Sequence, residues 1–218
     1  MKTSKIFERE INFIKNITIR EIVADTLDAA PECIQIIPAS SSGKYHPKAD
    51  IVIGKVNADG TVEVGGLVNH IKTVTALAKS MIDTEIFKNM VFGHGTVDEE
   101  TINICADCAI AACILHDCMK ADDSSRHTTV FDHPLRAANL FKEIAKKYIV
   151  DSNMTLKVII STIHGCISSH MGQYNTAPYA KGIVLPKPQT GLEDFVHLCD
   201  LIASRKFFDF NFEVYYGM

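Results

Sequence analysis

Apolar residues recur along this chain at two spacings, and the change from one to the other organises it. Ile6, Phe7, Ile11, Phe13, Ile14 and Ile17, then Ile22, Val23, Leu27 and Ala30, fall at helical steps and predict two helical pieces before Pro31. Beta-branched runs follow, Ile51-Val52-Ile53 and Thr61-Val62-Glu63-Val64, flanking Asn57-Ala58-Asp59-Gly60. They predict a short hairpin, which at this size holds its shape only as an appendage on something larger. From Gly66 the helical period resumes. Leu67, His70, Ile71, Val74, Leu77, Ala78, Met81 and Ile82 give one helix with His70 on its apolar face. The next is capped by Asp98 or Thr96, is acidic at its positive end, and runs to His116-Asp117. Later helices hold Ala137, Leu140, Phe141 and Ile144; Leu156, Ile159, Ile160 and Ile163, continuing towards His170; and Phe195 to Ile202, within a span from Leu192 to Phe207.

Composition narrows the class. A chain of 218 residues with 47% hydrophobic content builds a globular core, most simply one domain. The net charge of −4 gives no overall basic footprint, which lowers the expectation of a long nucleic-acid partner without removing local patches. Seven cysteines and the lack of a secretory core after Met1-Lys2-Thr3-Ser4-Lys5 read as reduced thiols in a cytoplasmic protein. No apolar stretch approaches the roughly 20 residues of a membrane span, so no membrane partner is expected.

The candidate chemistry sits at helix ends. His116-Asp117 offers imidazole beside carboxylate, a ligand pair suited to divalent metals such as Mn, Fe, Co, Ni or Zn. Lys120 follows at three and four residues and shares their face if the helix continues that far. His133 precedes Pro134, which places its ring at the mouth of a helix. His164 and His170 are six apart, about 120° on an ideal helix, so one of them enters a given site. Asp200 stands among apolar residues, where a carboxylate needs a metal or a cation as partner. Each residue alone has a plainer reading: a core histidine, a capping histidine, a lysine answering a helix dipole. Cys105 and Cys108 form Cys-x-x-Cys, but on an apolar helical period, where thiols are small buried hydrophobes. The loop from Pro38 to Pro47 carries Ser40 to Ser42, Lys44, Tyr45 and His46, and reads equally as a connector or a substrate loop.

The order of these residues resembles the HD-domain phosphohydrolase superfamily. It runs His70, His116-Asp117 with Lys120, His133, His170, Asp200, and covers about residues 65–205. Gly65-Gly66-Leu67-Val68-Asn69-His70, Ser169-His170-Met171-Gly172 and Cys199-Asp200-Leu201-Ile202-Ala203-Ser204-Arg205 resemble runs of the subgroup that includes the HD domains of bacterial 3′→5′ single-strand exoribonucleases. The resemblance implies a mainly α fold, an HD-domain helical bundle in residues 65–218, with residues 1–64 packed on it as helices, polar loop and β-hairpin. It implies one or two divalent ions (Mn, Fe, Co, Ni, Zn or Mg). His70, His116, Asp117 and Asp200 would hold the first, and Asp117, His133 and His170 the second. Met171 stands where binuclear members often have a further histidine, and a thioether suits hard ions poorly; His164 is the remaining candidate donor. Asp117 and Lys120 would be catalytic, with a metal-activated water as nucleophile, and Lys44, His46 and Arg205 would hold substrate. The implied activity is hydrolysis of a phosphoester in a nucleotide or similar small substrate. A 3′→5′ exonuclease on single-stranded nucleic acid and a non-catalytic nucleotide-sensing module are the alternatives.

Overall fold

A computed structural model describes residues 1–40, 43–121, 129–149, 153–180, 182–208 and 212. It is mainly helical, with a single two-stranded hairpin among the described residues. The N-terminal pieces are α1 (Thr3–Ile6), α2 (Glu8–Ile11) and α3 (Ile17–Ala29). The first predicted helix is thus two single turns, broken where Phe7 leaves helical geometry (φ −106°, ψ 15°) to bury its ring. Ile17 opens α3 instead and is exposed. Asn16 caps α3, its side chain accepting from Ile19 N. Just before it, Asp107 from a distant helix accepts the backbone N–H groups of Lys15 and Asn16, each at 2.8 Å.

The hairpin is shorter than predicted and displaced. Lys55–Val56 (β1) pairs antiparallel with Val62–Glu63 (β2). Ile51 ends a 3-10 turn (Lys48–Ile51), Val52 is extended, and Val52 and Ile53 are both exposed. The backbone there serves another purpose. Gly54 N donates to Ile36 O, while Gly65, Gly66 and Leu67 donate to Gln35, Val52 and Ile37 carbonyls. These are the N–H groups at the start of α4 (Gly66–Ile82), which have no partner inside the helix. Glycines are required at this crossing: a Cβ on Gly65 would lie 2.4 Å from Ile36 O, and one on Gly66 2.0 Å from Asp50 O. The loop segments are therefore stitched onto the helix that carries His70.

Five helices complete the bundle: α5 (Glu85–Phe92), α6 (Glu99–Leu115), α7 (His133–Ala145), α8 (Met154–Ser169) and α9 (Gly191–Ala203). Asp98 caps α6, accepting from Thr101 N. The C-terminal half of α6, residues 107–115, is buried on every side, as expected of a helix apolar all round. Its alanines and thiols let α3, α4, α8 and α9 pack against it. One hydrophobic core runs from Phe7 through α6 to Phe195. None of the seven cysteines is in a disulfide, and six are buried, with Cys105 partly exposed. No helix among the described residues is long and apolar enough to cross a membrane.

Candidate metal centre

The central helix stops at Leu115, earlier than Lys120 needs for a continuous helical face. His116 to Lys120 form a turn instead, with Cys118 N donating to Leu115 O and Lys120 N to Asp117 O. That turn still brings Lys120 Nζ to 2.5 Å from Asp117 Oδ2. His116, at the end of the helix, is fully buried, and Asp117 is 1% exposed.

Four imidazoles converge on this carboxylate, and three are aimed by one local device. His116 Nδ1 lies 2.8 Å from Cys113 O, His133 Nδ1 2.7 Å from Val130 O, and His170 Nδ1 2.8 Å from Ile167 O. Each Nδ1–H donates to the carbonyl three residues earlier, so each Nε2 is left bare and turned inwards. His133 opens α7 ahead of Pro134, and His170 follows the end of α8. His70 is aimed differently. Its Nδ1 lies 3.3 Å from Asp50 Oδ2, and its Nε2 3.0 Å from Asp200 Oδ1 on α9.

The two oxygens of Asp117 divide the histidines. Oδ1 lies 2.9 Å from His133 Nε2 and 3.7 Å from His170 Nε2. Oδ2 lies 3.4 Å from His116 Nε2 and 3.8 Å from His70 Nε2. Asp200 Oδ1 lies 3.0 Å from His70 Nε2 and 3.7 Å from His116 Nε2, and Asp200 has metal-ligand spacing with His116 and His170. Two three-residue groups with metal-ligand spacing therefore share Asp117: His70, His116, Asp117 and Asp117, His133, His170.

Electrostatics follow from this crowding. Burial pushes the Asp117 carboxyl up, but Lys120, His116 and His133 outweigh it and hold it well below the ordinary range. Asp200 is lowered in the same way, against burial, by its bond to His70 and by His116. Burial disfavours the His70 imidazolium, yet Asp200 and Asp50 reverse this and raise its pKa to about 9. For His170, burial and then His116 outweigh the more distant Asp117 and Asp200 and lower its pKa to about 3. His70 Nδ1, His116 Nε2, His133 Nε2 and Asp117 Oδ1 are buried without a hydrogen-bond partner, the 3.3 Å approach of His70 Nδ1 to Asp50 being an ion-pair contact. Orphaned polar atoms of this kind are rare in a fold unless something else satisfies them. Imidazole nitrogens and carboxylate oxygens pointing at a common space fit a divalent ion, and backbone acceptors on the far nitrogens are the usual support of metal-binding histidines.

A cavity of about 730 Å³ opens above the cluster, with Asp117, His133, His170 and Asp200 in its floor. Lys120, His46, Met171 and Arg205 also line it. Arg205 lies in the turn beyond α9, which ends at Ala203 rather than near Phe207, and its Nη2 donates to the Tyr174 hydroxyl at 3.0 Å. His164 is not brought in: it sits half-buried on α8, its pKa lowered by burial and by Lys142. Lys44 is exposed with its ammonium 5.1 Å over the Tyr45 ring, outside the cavity lining. Ser41 and Ser42 of the polar loop lie outside the described residues. Among the described residues no metal-ligand group includes a cysteine.

Several site residues were not singled out by sequence. Asp50 is 3% exposed and accepts from His46 Nδ1 at 2.9 Å. Burial raises its carboxyl pKa, but His46 and His70 bring it below the ordinary value. His197 packs beneath His170, its Nδ1 donating to His170 O at 2.7 Å. Gly172 (φ 53°) makes room, since a Cβ there would sit 2.3 Å from His197 Nε2. Tyr174 and Tyr179 join Tyr45, which the sequence had named in the polar loop, in the cavity lining, each about half exposed or more. Only the spacing of the motif Ser169 to Gly172 could have pointed to the His197 packing. Neither a family model nor a curated protein nor a solved structure matches the chain, so what this centre does is read from its own geometry.

Proposed function

We propose that this protein is a metal-dependent phosphohydrolase that cleaves a phosphoester of a nucleotide or similarly small substrate. One observation carries the reading: a buried carboxylate, Asp117, whose two oxygens face two sets of bare imidazole nitrogens while a lysine ammonium touches one of them. In this reading His70, His116, Asp117 and Asp200 hold one divalent ion, and Asp117, His133 and His170 hold a second. Such an ion supplies an acidified water as nucleophile and neutralises phosphoryl charge.

The chain's own groups do the rest. Lys120, 12% exposed at its side chain, lines the cavity and can pass from Asp117 to a non-bridging phosphate oxygen. Asp117, held ionised, keeps a negative charge between the two ligand sets. His46 and Arg205 reach the cavity from opposite segments and serve the remaining phosphate or sugar oxygens. The tyrosines at the mouth favour a substrate that carries a base, because aromatic rings stack on any nucleobase. They also favour the second reading, a 3′→5′ exonuclease, since stacking platforms serve a single strand equally well.

The test is a panel on the metal-reconstituted protein: p-nitrophenyl phosphate, bis(p-nitrophenyl) phosphate, nucleoside monophosphates, and labelled single-stranded RNA and DNA. Release of phosphate or nucleotide is expected, falling by about 10²–10³-fold in Lys120→Met, the loss typical of one transition-state donor. Metal and nucleotide binding without release from any substrate would replace the enzyme with a nucleotide-sensing module.

A further inference from the structure

The turn before the first metal-facing histidine hides a carboxylate with one hydrogen-bond partner, His46, and a second imidazole, His70, at ion-pair distance from the same oxygen. Asp50 Oδ2 receives His46 Nδ1 at 2.9 Å and faces His70 Nδ1 at 3.3 Å. The two rings lie edge to face with centroids 5.3 Å apart. A carboxylate with 4% of its side chain exposed needs such compensation. Its backbone is fixed as firmly as its side chain. Ala39 N donates to Asp50 O at 2.7 Å, and Gly66 passes so close that no side chain fits between. His70 is thus held from behind, with its other nitrogen turned to Asp200 and Asp117. His46 is held by the same oxygen, on a segment that lines the cavity.

We infer that Asp50 is a positioning residue for the metal centre, orienting His70 as a ligand and His46 as a substrate contact through one shared oxygen. The polar loop and the metal centre are then a single construction. The inference rests on the metal-centre reading above. Of the four imidazoles, His70 alone has a carboxylate where His116, His133 and His170 have backbone carbonyls. A carboxylate behind a ligating histidine fixes its tautomer and makes it a more basic donor. His46, Asp50 and His70 also have metal-ligand spacing among themselves. An ion there would compete with the His46–Asp50 hydrogen bond and would make His70 bridge two sites, so orientation is the reading the contacts favour.

The full chain, stripped and titrated with Co²⁺ by calorimetry and visible absorption, tests this. Asp50→Asn is expected to raise the Co²⁺ dissociation constant about 10–100-fold, as loss of a supporting carboxylate does, with stoichiometry unchanged and a shifted d–d band. His46→Ala is expected to leave Co²⁺ affinity near the wild-type value while raising the KM for a phosphoester. Should Asp50→Asn fail to fold, Asp50→Glu, which keeps the charge and moves the oxygen, is expected to weaken Co²⁺ in the same direction. Wild type that takes up no Co²⁺ removes the metal reading and this inference together. Wild type that binds while both Asp50 variants bind equally well overturns the inference alone. So does loss of one ion per chain in Asp50→Asn with the remaining affinity intact, which would make Asp50 a ligand.

Discussion

Metal loading should stabilise the fold by an amount that the structure lets one work out. His116 Nε2, His133 Nε2 and Asp117 Oδ1 are buried with no hydrogen-bond partner. Each such atom costs about 1–3 kcal/mol, so an ion that satisfies all three recovers at least about 3 kcal/mol. The lower figure is the right one, because Asp117 Oδ1 already lies 2.9 Å from His133 Nε2 and gains some electrostatic relief there. By mass action, about 3 kcal/mol corresponds to free metal at somewhat over 100 times the dissociation constant. For a chain of 218 residues, each kcal/mol moves the melting temperature by about 2–4 °C, so a rise of about 6–12 °C is expected. Differential scanning fluorimetry on chelator-stripped protein, with Mn²⁺, Co²⁺, Ni²⁺ or Zn²⁺ restored at about 1 mM, measures it. A rise below about 2 °C with every ion would refute the argument. An equal rise in Asp117→Asn would do the same, by placing the ion elsewhere.

Other outcomes follow from other parts of the molecule. Because His70 keeps its proton up to about pH 9 through Asp200 and Asp50, loading metal at pH 7.5 must expel a proton. Metal affinity should therefore climb as pH rises towards 9, while the His70 contribution to the metal-free fold, complete below its ordinary value of about 6.5, is lost over the same interval. Calorimetry in two buffers of different ionisation enthalpy reads the proton count, and a count of zero contradicts the assignment. Asp107→Ala leaves the Lys15 and Asn16 N–H groups without their acceptor and should cost about 3 kcal/mol in urea unfolding; under about 1 kcal/mol would mean that other groups or solvent replace it. Iodoacetamide on native protein should label Cys105 alone. Burial raises this thiol too, but the other six are hidden, with Cys108, Cys118 and Cys166 pushed above the ordinary thiol range by burial and Cys113 by its hydrogen bond to Cys199 and then by burial. Rapid labelling of any second cysteine, read by peptide mass spectrometry, would contradict the packing of the central helix.

Periodicity placed His70, His116, Asp117, His133, His170 and Asp200 on helices or at their ends, but that they should meet was implied only by the resemblance carried in their order. The lysine was legible for a partly mistaken reason. Lys120 reaches Asp117 through a tight turn after Leu115, where helical spacing had been expected to bring it there. Asp50 was not legible, because the 3-10 turn that delivers it has no period and its partners lie 4 and 20 residues away in unrelated directions. The run Ile51-Val52-Ile53 misled for a physical reason. Its backbone carbonyl at Val52 caps the helix of His70, and its side chains are left outside, so beta-branching there marks extended backbone without a strand partner. Tyr45, Tyr174 and Tyr179 meet only through tertiary folding, and no local pattern joins the first to the other two.

The carbonyl three residues behind His116, His133 and His170 has a consequence for how freely this architecture can vary. The direction of each of these three rings is written within four consecutive residues, so three corners of the centre are prefabricated before they meet His70 and Asp200. Segments between corners can lengthen, shorten or be rejoined in another order, as in a circular permutant, and the nitrogens will still face inwards. A single residue inserted inside one of those four-residue units, by contrast, would swing its imidazole about 100° away and dismantle the centre from within.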